Sequence, residues 1–104
     1  MSYNLGDIVL VKVPFTNQKE YKLRPAFVWF EEYSNVVILG ITSNTQMKGI
    51  FIPKEIGLIV DSVIKTNYIF TIDKNDIQKK LITLPQKYIQ KVCKELNLKC
   101  KEQK

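Results

Sequence analysis

Between Gly6 and Ile72 the chain is a succession of β-branched and aromatic runs, each of strand length and each bounded by polar or turn-forming residues. Ile8-Val9-Leu10-Val11-Lys12-Val13 follows Gly6-Asp7 and is closed by Pro14, so it reads as a strand buried over most of both faces. Ala26 to Phe30 predicts a second strand. The segment Glu31-Glu32-Tyr33-Ser34-Asn35 turns the chain into a third, Val36 to Ile41, which makes a hairpin. Gly49 to Pro53 predicts a short fourth strand, Lys54 to Leu58 a loop, and Val60 to Ile64 and Tyr68 to Ile72 two further strands. Six short strands within about seventy residues lead to a small barrel or two packed sheets.

The rest of the chain changes period. Asp73-Lys74-Asn75-Asp76 carries helix-start chemistry and predicts a brief helix through about Leu81. Pro85 opens a last helix, in which Ile89, Val92, Cys93 and Leu96 form one apolar stripe, with fraying expected from Lys99. The expectation is one mainly β domain over residues 1–104, with a barrel over about 6–73 and a helical C-terminal part over about 74–98.

A chain of this length buries a core without covalent staples. Cys93 and Cys100 stand seven residues apart in the helical pattern, roughly 10 Å along the axis, too far for a disulfide within an intact helix. With no histidine to join the two thiols, no metal site is expected, and no cofactor. No run reaches bilayer length and the first residues lack a signal-peptide pattern, so the chain reads as cytoplasmic with no membrane partner.

The net charge of +6 resembles a nucleic-acid signal until it is divided along the chain. Residues 1–78 hold eight basic and eight acidic side chains, whereas residues 79–104 hold eight lysines against Glu95 and Glu102. The whole excess therefore belongs to the tail, where a lysine-rich helix face is ordinarily a solvated surface.

One residue breaks the basic pattern. Arg24 is a single arginine among fifteen lysines, and its planar fork suits two phosphate oxygens in a way that an ammonium does not. Preceding Pro25 and an apolar run, it is expected at the end of a loop as the second strand begins. The polar stretch Thr42-Ser43-Asn44-Thr45-Gln46 follows the third strand directly. Serine and histidine triads are excluded by the lack of histidine, the four glycines are too isolated for a phosphate loop, and Glu31 and Glu32 lie in a turn. If the strands carrying Arg24 and Thr42 are neighbours, a guanidinium and hydroxyls converge on one phosphate. RNA brings its own nucleophile, the 2′-hydroxyl, so such a site needs only positioning and charge stabilisation.

In order and spacing, several segments resemble the MazF/PemK family of toxins. They are Gly6-Asp7-Ile8-Val9-Leu10-Val11, Pro14-Phe15-Thr16, Arg24-Pro25-Ala26, Ile41-Thr42-Ser43, Gly57-Leu58 with Asp61-Ser62-Val63-Ile64, and Thr71-Ile72-Asp73-Lys74. The resemblance implies an SH3-like small β-barrel of the plasmid-maintenance toxin type, with a C-terminal helix. It implies a homodimeric toxin of a toxin–antitoxin system, a metal-independent endoribonuclease on single-stranded RNA leaving a 2′,3′-cyclic phosphate and a 5′-hydroxyl, and a partner antitoxin. By position, Arg24 and Thr42 correspond to the catalytic pair. Phe15, Thr16, Asn17, Lys19 and Lys22 fall on a loop that flanks RNA, and Ser43, Asn44 and Gln46 are candidate base contacts. One departure stands out: relatives commonly carry Arg-Thr-Ile-Asp where this chain has Phe70-Thr71-Ile72-Asp73. Phe70 is expected to pack inside, with stacking on a base as the other option. A gyrase-directed toxin on the same fold and a non-catalytic nucleic-acid-binding module remain alternatives.

Overall fold

A computed structural model describes residues 2–14 and 21–102. Its elements are β1 (Asp7–Pro14), β2 (Tyr21–Glu32), β3 (Asn35–Thr42), β4 (Ile50–Ile52), β5 (Ser62–Asp73), β6 (Ile77–Thr83) and helix α1 (Gln86–Glu102), with single 3₁₀ turns at Lys54–Ile56 and Lys74–Asp76. All six strands join one antiparallel sheet in the order β4-β5-β3-β2-β1-β6.

The apolar runs become strands because their alternate residues have two cores to enter. Ile8, Phe27, Leu39, Ile41, Ile52 and Ile64 point to one face, where Leu84, Tyr88, Ile89 and Val92 cover them. The predicted stripe is thus the buried side of α1, with Cys93 and Leu96 packed at its margin. Val9, Val11, Ala26, Val28, Val36 and Ile38 point to the other face and are buried with Tyr3 and Ile77. Among the described residues none of α1 belongs to that second core, whose buried members come from β1, β2, β3 and β6 together with Tyr3. The sheet is barrel-like yet open, with β4 and β6 as its edges.

Several predicted boundaries move. Residues 77–81 form no helix; they belong to β6, which pairs with the otherwise free edge of β1 from Val11↔Ile77 to Asp7↔Thr83. The cap chemistry itself is present, since Asp73 accepts a hydrogen bond from Asn75 N at 2.8 Å, but it opens only a single 3₁₀ turn. The helical part accordingly starts at Gln86 and the sheet runs on to Thr83. The two strands expected at 60–64 and 68–72 are one strand, β5, interrupted where Leu39↔Ile69 is followed by Gly40↔Lys65.

One end of the sheet is tied by partnered polar groups. Asp7, 2% exposed, accepts from Asn4 N at 2.9 Å and from Thr83 Oγ1 at 2.9 Å, and Lys80 Nζ lies 3.3 Å away. Glu31 accepts from Tyr3 N at 2.7 Å and pairs with Lys74 Nζ at 2.9 Å. The Lys74 hydrogen bond, with help from the Tyr3 amide, holds the Glu31 carboxyl below its ordinary range.

Candidate active site

Arg24 lies within β2 and not at its start, because β2 begins at Tyr21 and Arg24 is already in register with Val11 of β1. Along a strand, every second side chain shares a face. Arg24 therefore lies on the face of Ala26 and Val28, at the margin of the second core. On β3 that same face carries Ile38, Gly40 and Thr42. The last register pair joining the two strands is Ala26↔Gly40, and both Arg24 and Thr42 stand two residues beyond it. The separate strand ends of the sequence are thus adjacent in space. Both residues line a cavity of about 270 Å³ together with Ala26, Ile38, Gly40, Tyr68 and Phe70.

Arg24 also borders a second cavity of about 540 Å³, whose walls include Lys22, Ser43, Leu58, Ile59, Ser62 and Lys79. Its charged lining residues are Lys22, Arg24 and Lys79, all cationic, among the described residues. The two cavities share Arg24, so a chain laid across them passes its guanidinium. The net charge of the molecule hides this local positive strip, since two of its three cations come from residues 1–78, which are neutral overall.

The loop after β3 is locally organised. Thr42 Oγ1 accepts from Asn44 N at 3.1 Å, Asn44 Oδ1 accepts from Gln46 N at 3.0 Å, and Met47 N donates to Asn44 O at 3.1 Å. These nested turns hold the Thr42 side chain at the rim of the site. Asn44 and Gln46 are exposed but line neither cavity, whereas Ser43 lines the larger one. Phe15, Thr16, Asn17 and Lys19 lie outside the described residues. Among the described residues no cluster of histidine, cysteine or carboxylate side chains is arranged to hold a metal ion, and no helix is long and apolar enough to cross a membrane. Cys93 and Cys100 are both free thiols.

Phe70 does not pack in the interior. It is 46% exposed and, with Tyr68 at 39%, forms a wall of the smaller cavity. Residue type gave no warning, because an aromatic in a strand ordinarily faces a core. The available signal was Gly40, a glycine inside a strand, which marks a place where something approaches the backbone closely. Lys79 was likewise missed, since the helix predicted over its segment would have placed it on a solvated surface.

A family model for PemK-like, MazF-like toxins of type II toxin–antitoxin systems matches residues 4–99. No curated protein sequence matches the chain. Solved structures similar to it include a MazE–MazF complex from Deinococcus radiodurans, with TM-score 0.79, 14% identity, and 99% of each chain covered. The Mycobacterium tuberculosis toxin MazF-mt6 has TM-score 0.72 and 18% identity over 88% of this chain and 93% of that one. An endoribonuclease in complex with its cognate antitoxin from a mycobacterial species has TM-score 0.71 and 11% identity, with 99% of each chain covered. At these identities the structural likeness concerns the fold.

Proposed function

The chain belongs to the PemK-like, MazF-like toxin family of type II toxin–antitoxin systems, and on that footing we propose that it is a metal-independent endoribonuclease acting on single-stranded RNA. The observation that carries this reading is the convergence of Arg24 and Thr42 on one cavity from two adjacent strands. A guanidinium shares this cavity with a hydroxyl held by a backbone turn. Neither group is a strong base or a nucleophile at neutral pH, which suits a substrate that carries its own nucleophile.

In this reading the 2′-oxygen of the substrate attacks the adjacent phosphorus and gives up its proton to solvent. The bond from phosphorus to the 5′-oxygen breaks, and that oxygen takes a proton from Arg24, which recovers one from water. Arg24 meanwhile stabilises the extra negative charge on the five-coordinate phosphorus, and Thr42 holds a phosphate oxygen. The products are a 2′,3′-cyclic phosphate and a 5′-hydroxyl. Lys22, Ser43 and Lys79 border the path of the strand next to the cut. The substrate places the enzyme in the cytoplasm. It works as a homodimer restrained by a cognate antitoxin, a partnership supported by the toxin–antitoxin complexes that share this fold.

Incubating the purified protein with a long unstructured RNA in EDTA tests the reading directly. Cleavage that leaves 5′-hydroxyl ends in the parent, and none in Arg24→Ala, is the expected result. Intact RNA at high protein concentration overturns it, and growth arrest with intact RNA and damaged DNA points to gyrase instead.

A further inference from the structure

Arg24 and Thr42 make only one side of their cavity. The other is built by Tyr68 and Phe70, two aromatic side chains on alternate positions of β5, both substantially exposed. Beneath them is Gly40. A Cβ at that position would stand 3.0 Å from Tyr68 Cβ, 3.3 Å from Tyr68 Cδ2 and 3.6 Å from Phe70 Cε2. The two side chains therefore lie over bare backbone of β3, and a larger residue there would lift them. Lys65 is buried, donates from Nζ to Lys48 O at 2.6 Å, and holds its ammonium 5.4 Å from the Tyr68 ring centroid. Tyr68 is thus positioned by a fixed cation as well as by the strand below it.

Among the described residues lining this cavity, Arg24 is the charged one; the remaining surface is hydroxyl, aliphatic and aromatic. A single cation beside two exposed rings matches the two halves of a nucleotide, phosphate against guanidinium and base against ring. A wholly apolar partner would leave Arg24 desolvated, and an acidic peptide would leave the rings without a π-face to meet.

We propose that Tyr68 and Phe70 form a stacking platform for an unpaired base next to the phosphate that Arg24 holds. This rests on the RNA reading above and adds a base-binding site to it. Because every base presents a π-face, the platform contributes affinity for unpaired strands of any sequence, with purines favoured by their larger area. Base choice through hydrogen bonds then belongs elsewhere on the strand's path.

The test uses a fluorescent single-stranded oligodeoxynucleotide, which lacks the 2′-hydroxyl and stays uncut, and an abasic strand of the same length. The parent should bind the base-bearing strand more tightly than the abasic one. Tyr68→Leu and Phe70→Leu should each lose about tenfold on the base-bearing strand and nothing on the abasic strand. Phe70→Trp should keep the parent's affinity and show indole quenching on binding, which guards against a folding defect in the leucine variants. Unchanged affinity in both leucine variants overturns the proposal. So does a parent that ignores the loss of bases, or a Phe70→Leu protein whose sedimenting mass falls while its affinity for nucleic acid holds, since the rings would then belong to a contact between copies. If the parent binds bases through these rings but never cuts RNA, the ribonuclease reading fails and the platform stands. If it cuts and the leucine variants bind as the parent does, the platform alone fails.

Discussion

The two ends of the sheet are built on opposite rules. At the end where β1 begins and β2 finishes, Asp7 and Glu31 each gather two or more partners, and they tie Tyr3, Lys74, Lys80 and Thr83 to the rim of the second core. At the other end Arg24 and Thr42 face a cavity, and Leu23, Ile59, Tyr68 and Phe70 are left on the surface, Ile59 at 94% exposure. Buried or half-buried carboxylates find their partners inside the fold at the first end, whereas the second leaves apolar side chains around a cavity. Under the proposed function, one end supplies stability while the other gives up burial for recognition.

Substitutions that separate the two ends test this division. The largest effect is expected from Arg24→Lys, which keeps a positive charge but loses the fork. RNA cleavage should fall by about 10²–10³-fold, the range for removing one transition-state donor, with thermal stability and most RNA affinity retained. A lysine variant that cuts as fast as the parent would remove Arg24 from the mechanism. The converse is Asp7→Ala, which strips partners from the Thr83 hydroxyl and the Asn4 amide at the tied end. It should cost about 2–3 kcal/mol of stability and lower Tm on the order of 10 °C, while cleavage per folded molecule is unchanged at low temperature. A loss of specific activity in that variant would show that the ends are coupled.

A smaller effect is expected from Gly40→Ala, because its methyl meets Tyr68 Cβ at 3.0 Å and β5 must shift there by a few tenths of an ångström. Affinity for single-stranded nucleic acid should drop several-fold, with stability changed by no more than about 1 kcal/mol. Equal affinity would mean that the rings tolerate displacement and do not act as a fixed surface.

The smallest effect concerns acid. Glu31 has its folded pKa lowered by Lys74 and by the Tyr3 amide, so its contribution is fully present above the unfolded value of 4.5 and is lost as pH falls through the folded one. Thermal melts across that acidic window should show a slightly steeper decline for the parent than for Glu31→Gln. Parallel curves would show that the Lys74 contact adds nothing to stability.

How much of this was legible beforehand depended on whether a feature was local. The strand runs, the β2–β3 turn and the stripe of α1 follow from period and composition, because each is decided within a few residues. Segment 77–83 was misread because the cap at Asp73 is real but short, and what it introduces was settled by the unpaired edge of β1. The candidate site was half legible: Arg24 stood out by its rarity and Thr42 by following a strand, but their sharing of a cavity was conditional on strand order. Tyr68 and Lys79 gave no local sign.

By itself the sequence determined that short β-branched runs form strands and that a helix with one apolar stripe ends the chain, and without histidine it singled out Arg24 and the hydroxyls after the third strand as the candidates for phosphate chemistry. Only the tertiary structure decided which strands are neighbours, that a second core lies on the sheet face away from α1, and that Phe70 faces the cavity beside Arg24. The physical reason is that the period of a strand assigns residues to two faces but does not say which face is filled. Phe70 pairs in register with Ile38 and its ring reaches over Gly40, neighbours some thirty positions away that no local pattern names.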